Sequence, residues 1–328
     1  MQRRHFLQGS ALTLAAAAIG GPGLALAQAP WPQRPIRLVV PFTPGGGTDA
    51  TSRLIAEKLT VLNQWTVVID NKPGAAGNIG LDAVAKSAPD GYTLGMGQTS
   101  NLTINPSLYA KMPFDALKDF TPIAEVAAQP VVLTVRSDSP LRTLADFIKA
   151  AKAKPGELGI AQAGSGTVGH LAGEMLARRA GIQVMQVPYK GAGPAMTDLL
   201  GGQVGTYFGS SVSVMPQLTG GKIRALAVPG AQRLPALPDV PTVAELGYPG
   251  FEATTWVGLV GPAGLPADIV ARINAEVVKI VARKDVQDKL SLEGSVPATG
   301  TPQQFAAYIR AEHAKWGALI REAGIKLD

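Results

Sequence analysis

The chain has 328 residues, of which 46% are hydrophobic and 16% charged, so it can bury the core of a large globular protein and is not a disordered chain. It contains no cysteine, which excludes disulfides, thiolate metal sites and cysteine nucleophiles. The net charge is +6, but the basic residues are scattered without a Lys/Arg block or interleaved aromatic residues, so we expect no nucleic-acid partner.

Residues 1–27 have the pattern of an export signal. Arg3-Arg4 precedes an apolar stretch over 11–19, and Ala25-Leu26-Ala27 forms an A-x-A ending. The Arg-Arg-x-Phe-Leu pattern favours the twin-arginine route, with an ordinary secretory signal as the alternative. We therefore expect cleavage near Ala27 and a periplasmic, monomeric mature protein of net charge +4, with no later stretch that spans a bilayer.

Apolar runs and helical periods alternate along the mature chain. The first part reads β-α-β-α-β, which is typical of a parallel sheet whose loops gather at its carboxyl edge. Its strands are predicted at 36–41, 65–70 and 92–96, and its helices at 48–62 and 78–87. Later strands are predicted at 131–135, 158–161, 183–187, 204–208, 223–228 and 254–261, and the clearest later helices at 143–153, 167–180, 267–283, 284–292 and 303–323.

This order predicts two α/β lobes joined by a hinge, with a ligand cleft between them. The chain crosses to the second lobe near Val131 and returns near Trp256. We expect residues 28–129 to form the first part of lobe one, 130–255 lobe two, and 256–328 the C-terminal part of lobe one.

Five glycine-rich loops each follow a predicted strand. They occupy 44–49, 73–78, 163–167, 190–194 and 209–211. Glycine lets the backbone approach a ligand closely, and a helix start leaves amide N–H groups unpaired. Several such loops facing one cleft form a cage of donors suited to a small anion.

Lobe one carries the first set of candidate ligand-binding residues, in which Phe42 is an apolar wall and the glycine amides face a carboxylate. The set comprises Phe42, Thr43, Gly45, Gly46, Gly47, Thr48, Asp49, Ala76, Gly77, Asn78, Thr99 and Ser100. Asp49 has the wrong charge for an anion site, so it either caps the helix or holds a water that touches the ligand. The 75–78 loop is either a ligand contact or a tight turn. Thr99 and Ser100 either reach the cleft or lie in a solvated loop.

Lobe two carries the second set. It comprises Ser165, Gly166, Thr167, His170, Tyr189, Gly191 and Ser210. Residues 165–167 precede a helix, so their amides and hydroxyls suit a second carboxylate. His170 is either an anion contact or a satisfied structural histidine. Lys190 either adds one positive charge or lies on the surface, and Ser210 either contacts the ligand or bonds within its own turn.

Several segments together resemble the Bug family of extracytoplasmic solute receptors, the substrate-binding components of tripartite tricarboxylate transporters. They include Pro44-Gly45-Gly46-Gly47-Thr48-Asp49 after Pro41-Phe42, together with 71–80, 88–94, 170–174, 187–191 and 237–242. The resemblance implies a type II periplasmic binding fold that closes on a dicarboxylate, tricarboxylate, acidic amino acid or aromatic carboxylate. It implies binding through main-chain amides, hydroxyls and waters, and membrane transporter subunits as partners.

Two other functional classes compete with this interpretation. An enzyme is disfavoured because no phosphate-binding glycine motif follows the first strand and residues 163–167 do not fit the G-x-S-x-G frame. No His/Glu cluster has metal-ligand spacing, so we expect no catalysis, cofactor or metal, and a hydrolase is the less favoured alternative. A periplasmic sensor that presents its ligand-closed state to a signalling partner suits the same fold, and the sequence does not separate it from a transport receptor.

Overall fold

The computed structural model describes residues 31–326 of the chain, so the predicted export signal lies outside the described residues. Ten strands are present in this range: β1 (Ile36–Val40), β2 (Val67–Asn71), β3 (Thr93–Gln98), β4 (Phe120–Arg136), β5 (Gly159–Gln162), β6 (Met185–Pro188), β7 (Thr206–Ser210), β8 (Ile223–Ala227), β9 (Thr254–Pro262) and β10 (Val296–Pro297). The α-helices of the same range are α1 (Gly47–Asn63), α2 (Asn78–Ala85), α3 (Asn105–Leu108), α4 (Leu144–Ala153), α5 (Val168–Ala180), α6 (Ala192–Leu200), α7 (Ser211–Thr219), α8 (Ala267–Val281), α9 (Lys284–Leu292) and α10 (Pro302–Ala323). The predicted α/β class is confirmed.

The strands run in the order β2-β1-β3-β9-β4-β7-β5-β6, with β8 and β10 pairing with β4. The pairs β2-β1 and β1-β3 are parallel, as the alternating pattern predicted, and so are β7-β5 and β5-β6. The pairs of β9 with β3 and with β4 are antiparallel. Parallel strands joined by helices collect the following loops at one edge, which is where the glycine-rich segments lie.

Strand β4 joins the two halves of the sheet. Residues 120–130 pair with β9, whereas residues 131–135 pair with β7. The predicted strand at 131–135 was therefore too short, because it covers only the second part of a strand of 17 residues. The first part was missed because Thr121-Pro122 and a run of alanines interrupt the β-branched pattern that marked the second part. The change of partner falls between Pro130 and Val131, next to the predicted lobe boundary, which stays a prediction.

Helices cover both faces of each half of the sheet. Helices α1 and α8 bury Leu54 and Ile273 on one face of the first half, and α2 and the start of α10 bury Leu81 and Phe305 on the other. Around the second half, α4 and α5 pack on one face and α6 and α7 on the other. The end of α10 extends into the cluster of α4 and α5, where Trp316 is buried. Helices α1, α5, α6 and α7 begin just after the carboxyl ends of β1, β5, β6 and β7.

Local capping chemistry sets where the helices begin and end. The Thr167 hydroxyl accepts a hydrogen bond from the His170 N–H at the start of α5, and Gly181 ends that helix in the left-handed conformation, as its position predicted. Thr143 and Asp146 form a capping box at the start of α4. None of the helices in residues 31–326 is both long enough and apolar enough to cross a bilayer.

Candidate functional site

A cavity lies where the two halves of the sheet meet, and we call it the inner cavity; its empty space, which opens to solvent, is about 530 Å³. Its walls come from β3, β4, β7, β9 and the segments that follow β1 and β5. The lining residues are Phe42, Gly46, Gly47, Thr48, Gln98, Ser100, Gln129, Val131, Ala163, Thr167, Val168, Gly169, Ala192, Tyr207, Phe208, Gly209, Ser210 and Thr255.

Four helices begin at the wall of the inner cavity. They are α1, α5, α6 and α7, whose first residues or N-caps are among the lining residues. The backbone N–H groups of Gly47, Thr48, Val168 and Gly169 have no hydrogen-bond partner within residues 31–326. Each helix start carries a partial positive charge, so these unpaired donors favour an anion in the cavity.

No side chain that lines the inner cavity, within the part of the chain that the structure describes, is charged. The polar groups at its wall are hydroxyls and carboxamides. The Thr48 hydroxyl donates to Gln98 Oε1 at 3.3 Å, and Gln129 Nε2 donates to Thr51 Oγ1 at 2.8 Å and to the Gly47 carbonyl at 3.3 Å. These two glutamines therefore hold the first turn of α1 in place at the cavity wall.

A second cavity, which we call the outer cavity, adjoins the first and contains about 500 Å³ of empty space. It is lined by Phe42, Gly74, Ala75, Ala76, Gly77, Tyr109, Ala163, Gly164, Ser165, Pro188, Tyr189 and Lys190. Lys190 is its one charged lining residue in the described range, and its side chain is exposed. The Tyr189 hydroxyl donates to Asp198 Oδ2 at 2.7 Å, so this phenol already has an acceptor. Burial, together with that carboxylate, raises the pKa of Tyr189 to about 12.

The structure brings together most of the predicted site residues, but in two compartments. Gly46, Gly47, Thr48, Ser100, Thr167 and Ser210 line the inner cavity, and Ala76, Gly77, Ser165 and Tyr189 line the outer one. Phe42 lines both. Thr43, Gly45, Asn78, Thr99, Asp49, Gly166, His170 and Gly191 line neither.

Asp49 is a structural carboxylate in the first turn of α1. It is buried and accepts hydrogen bonds from the Gly45 N–H at 3.0 Å, from Arg53 Nε at 2.9 Å and from Asn71 Nδ2 at 2.9 Å. Burial pushes its pKa upward, but the bonds from Arg53, Asn71 and Gly45 outweigh burial and leave the pKa below its usual value. The carboxylate stays ionised and fixes the loop that precedes the helix, so the cap interpretation fits the geometry.

His170 is likewise engaged within its own turn. Its Nδ1 accepts a hydrogen bond from the Gly166 N–H at 3.2 Å, so the neutral tautomer carries its proton on Nε2. The ring lies against a separate cleft that Glu174 and Gln186 also line. Burial lowers the pKa of His170, and the nearby Glu174 carboxylate partly opposes this shift. The geometry fits the structural interpretation of this histidine.

Thr99 and Asn78 support the site from behind it. Thr99 is fully buried, and its hydroxyl accepts from the Trp256 N–H at 2.8 Å. Ser100 is also buried, so of the two alternatives for these residues the solvated loop is wrong. Thr99 and Ser100 lie at the start of a π-helical turn over 100–104. Asn78 Oδ1 accepts from Asn105 Nδ2 at 2.7 Å, behind the 74–77 loop. These contacts fix the loop positions without lining either cavity.

The two sides of the cleft touch at its rim. A Cβ atom at Gly191 would collide with the Thr43 hydroxyl, and a Cβ at Gly166 would collide with the Asn105 side chain. The Tyr109 hydroxyl donates to the Ser165 carbonyl across the same rim at 3.1 Å. The two sides of the cleft are therefore in contact at this rim in this structure.

A family model described as "Tripartite tricarboxylate transporter family receptor" matches residues 51–325. The chain belongs to this family. A protein encoded in the tcbD-tcbE intergenic region of Pseudomonas sp. strain P51 is 40% identical over 98% of this chain and 94% of its own. Protein BugT of Bordetella pertussis is 38% identical over 90% of this chain and 91% of its own. The resemblance to Bug receptors predicted from the sequence is confirmed.

Solved structures of receptors share the fold. R. palustris Rpa4515 with adipate superimposes with a TM-score of 0.88 at 38% identity, covering 90% of this chain and 99% of that one. The periplasmic binding protein BugD superimposes with a TM-score of 0.87 at 34% identity, covering 90% of this chain and 99% of BugD. MatC from Rhodopseudomonas palustris with bound malate superimposes with a TM-score of 0.84 at 33% identity, covering 88% of this chain and 100% of MatC. The type II periplasmic binding fold is confirmed, and the family is one of substrate-binding receptors rather than enzymes.

Sequence reasoning missed several cavity residues of this receptor, among them Gln98 and Gln129. A signal was present, since each of these carboxamides follows a run of apolar residues, Gln98 at the last position of β3 and Gln129 inside β4. Both are buried, and a buried polar side chain needs partners. No group of three or more His, Asp or Glu side chains in residues 31–326 is placed to hold a metal ion.

Proposed function

We propose that this receptor captures a small organic dianion of the dicarboxylate class, with at least one of its carboxylates in the inner cavity. The observation that carries the proposal is the convergence of four helix starts on a cavity whose described lining contains no charged side chain. A carboxylate there is stabilised by backbone N–H dipoles and hydroxyl donors rather than by a cation. The ligands of two relatives, adipate and malate, belong to the same chemical class.

The hydrogen-bond donors expected around the ligand are sufficient for a micromolar dissociation constant. A hydrogen bond to a charged group contributes about 1.5–3 kcal/mol, and a helix terminus adds roughly 0.3–1 kcal/mol. A micromolar Kd corresponds to about 8 kcal/mol. Four to six donors around one ligand therefore reach this range after the entropy cost of ordering the ligand.

We also propose the two-lobe division at 28–129, 130–255 and 256–328, with ligand closing the cleft. The change of pairing partner along β4 supports the first boundary. We further propose delivery of the ligand to membrane transporter subunits, which the family of the chain supports. The pattern of residues 1–27 supports export and cleavage near Ala27. Replacing Arg3 and Arg4 with lysine would test the twin-arginine route, because loss of the periplasmic fraction is then expected.

Calorimetric titration tests the ligand class. Adipate, malate and the acidic amino acids are compared with neutral diamides of the same length, and we expect heat only from the anions. Gly47→Ala is the matched variant, because its added Cβ would lie 2.6 Å from Gln129 Oε1 and 2.8 Å from Ser210 Oγ, at the wall of the inner cavity. We expect it to weaken binding at least about tenfold, or 1.4 kcal/mol. Binding of diamides or sugars in place of anions would refute the proposal.

A further inference from the structure

The inner and outer cavities share two lining residues, Phe42 and Ala163. Phe42 lies on one side of the cleft, in the loop after β1, and Ala163 lies on the other, immediately after β5. One aromatic ring and one methyl group therefore form the boundary between the two compartments. Neither can hydrogen-bond through its side chain, so the boundary is apolar whereas both compartments contain polar groups.

Phe42 is held in a fixed position. It is buried, with 6% of its surface exposed, and its carbonyl accepts a hydrogen bond from Asn71 Nδ2 at 3.0 Å. Its ring lies against Gly77, where an added Cβ would be 3.2 Å from Phe42 Cε2. Gly77 also has a φ of 93°, a conformation that favours glycine, so a larger side chain is excluded on two grounds. The 74–77 loop therefore blocks movement of the ring toward Gly77.

The outer cavity is built to receive a polar group. The N–H groups of Ala75 and Ala76 have no hydrogen-bond partner among the described residues. Both residues adopt left-handed φ values of 46° and 48°, which are uncommon for alanine and cost energy. The Ala76 carbonyl accepts from Ser100 Oγ and Asn105 Nδ2, and these bonds hold the strained loop. With the Lys190 side chain beside it, this loop presents donors and positive charge to the compartment.

We propose that Phe42 and Ala163 form a partition that selects linear dicarboxylates with an unsubstituted apolar middle. One carboxylate lies in the inner cavity, the methylene chain passes between the ring and the methyl group, and the second carboxylate lies in the outer cavity. This inference rests on the proposed function. A short diacid such as succinate would place its second carboxylate against the ring, and a hydroxyl on the chain would lose its water there without gaining a partner.

A length series of unbranched diacids, from malonate to sebacate, tests the partition by calorimetry. We expect the wild-type receptor to bind adipate or a longer diacid at least about tenfold more tightly than succinate. Phe42→Ala should remove this discrimination. Ala163→Leu should narrow the passage and lower the affinity for the longer diacids at least about tenfold. The affinity for short diacids held within the inner cavity should change little. Phe114→Ala is the control, because this buried ring packs on Phe120, and Phe114 lines neither cavity.

The outcomes separate the two proposals. If the wild-type protein binds no dicarboxylate, the proposed function fails. If it binds dicarboxylates but prefers succinate or malate over adipate, or if both variants change every length by the same factor, the partition is refuted. Thermal unfolding of each variant shows whether it folds. If Phe42→Ala does not fold, the length series is measured with Ala163→Leu and the milder Ala163→Val, which change the opposite side of the passage.

Discussion

The imidazole of His170 accepts a hydrogen bond through Nδ1 from the backbone N–H of Gly166, at 3.2 Å. This bond closes the turn that leads from β5 into α5, and residues on either side of it line the two cavities. Protonation of Nδ1 would place two N–H groups face to face, so the neutral ring is a requirement of the turn. This hydrogen bond therefore makes the stability of the loop between β5 and α5 sensitive to acid.

His170→Gln should therefore flatten the loss of stability in mild acid. Because burial lowers the folded-state pKa below the usual 6.5, the unfolded chain binds the proton first, and stability falls as the pH drops below about 6.5. Above that pH the histidine contributes no such penalty. Urea unfolding between pH 5 and 8 measures the effect. His313→Gln is the matched control, and equal pH profiles for both variants would contradict the expectation.

Asp49→Asn should destabilise the protein and weaken ligand binding together. The neutral amide loses the charged interaction with Arg53 and weakens the bond from the Gly45 N–H, at an expected cost of about 1–3 kcal/mol. The measurement is urea unfolding, followed by calorimetric titration of the folded variant. Asp285→Asn, which removes a more exposed ion pair with Lys58, is the control and should leave ligand binding unchanged. An unchanged free energy of unfolding for Asp49→Asn would show that the observed bonds add nothing net.

Gly191→Ala should impair closure of the cleft. The added Cβ would collide with Thr43, and the φ of 154° also disfavours a side chain. We expect ligand affinity to fall at least about tenfold, because overpacking in a tight contact costs roughly 1–3 kcal/mol. Calorimetry with the preferred diacid measures this, and Gly205→Ala, where the nearest atom lies 4.0 Å away, is the control. Equal affinity for Gly191→Ala and wild type would mean that the rim relaxes without cost.

Glu125→Gln should stabilise the protein at neutral and alkaline pH. Burial, aided by the nearby Glu312 carboxylate, raises the pKa of Glu125 from 4.5 to about 7. The folded state therefore holds the proton longer, and stability falls as the pH rises from about 4.5 to about 7. Since the side chain is partly exposed, we expect a gain of about 1 kcal/mol above pH 7 and none below pH 4.5.

Differential unfolding of Glu125→Gln and wild type across pH 4–8.5 measures this gain. The exposed Glu57→Gln serves as the control, because the pair that Glu57 forms with Lys58 is long, at 3.7 Å. A gain that is constant with pH would attribute the effect to packing rather than to charge.

Local sequence patterns were enough to predict nine of the ten strands, in order, and the glycine-rich loops that follow strands; β10 and the first part of β4 were missed. These features depend on local chemistry: apolar periodicity, glycine at positive φ, and Thr167 or Gly181 at helix ends. The same local signals placed Gly46, Gly47, Thr48, Thr167 and Ser210 at the candidate site, because the carboxyl ends of parallel strands share one edge.

Which side chains face the cavities depends on packing between segments that are distant along the chain. Gln98 and Gln129 line the inner cavity through the register of strands distant in sequence, and Asp49 turns toward Asn71 and Arg53 rather than into the cleft. The placement of Phe42 and Ala163, more than one hundred residues apart, at the same two cavities is likewise a product of the tertiary structure. The residues next to a helix start in the sequence determine where the helix begins. The direction of a buried side chain is set instead by packing against elements from distant parts of the chain.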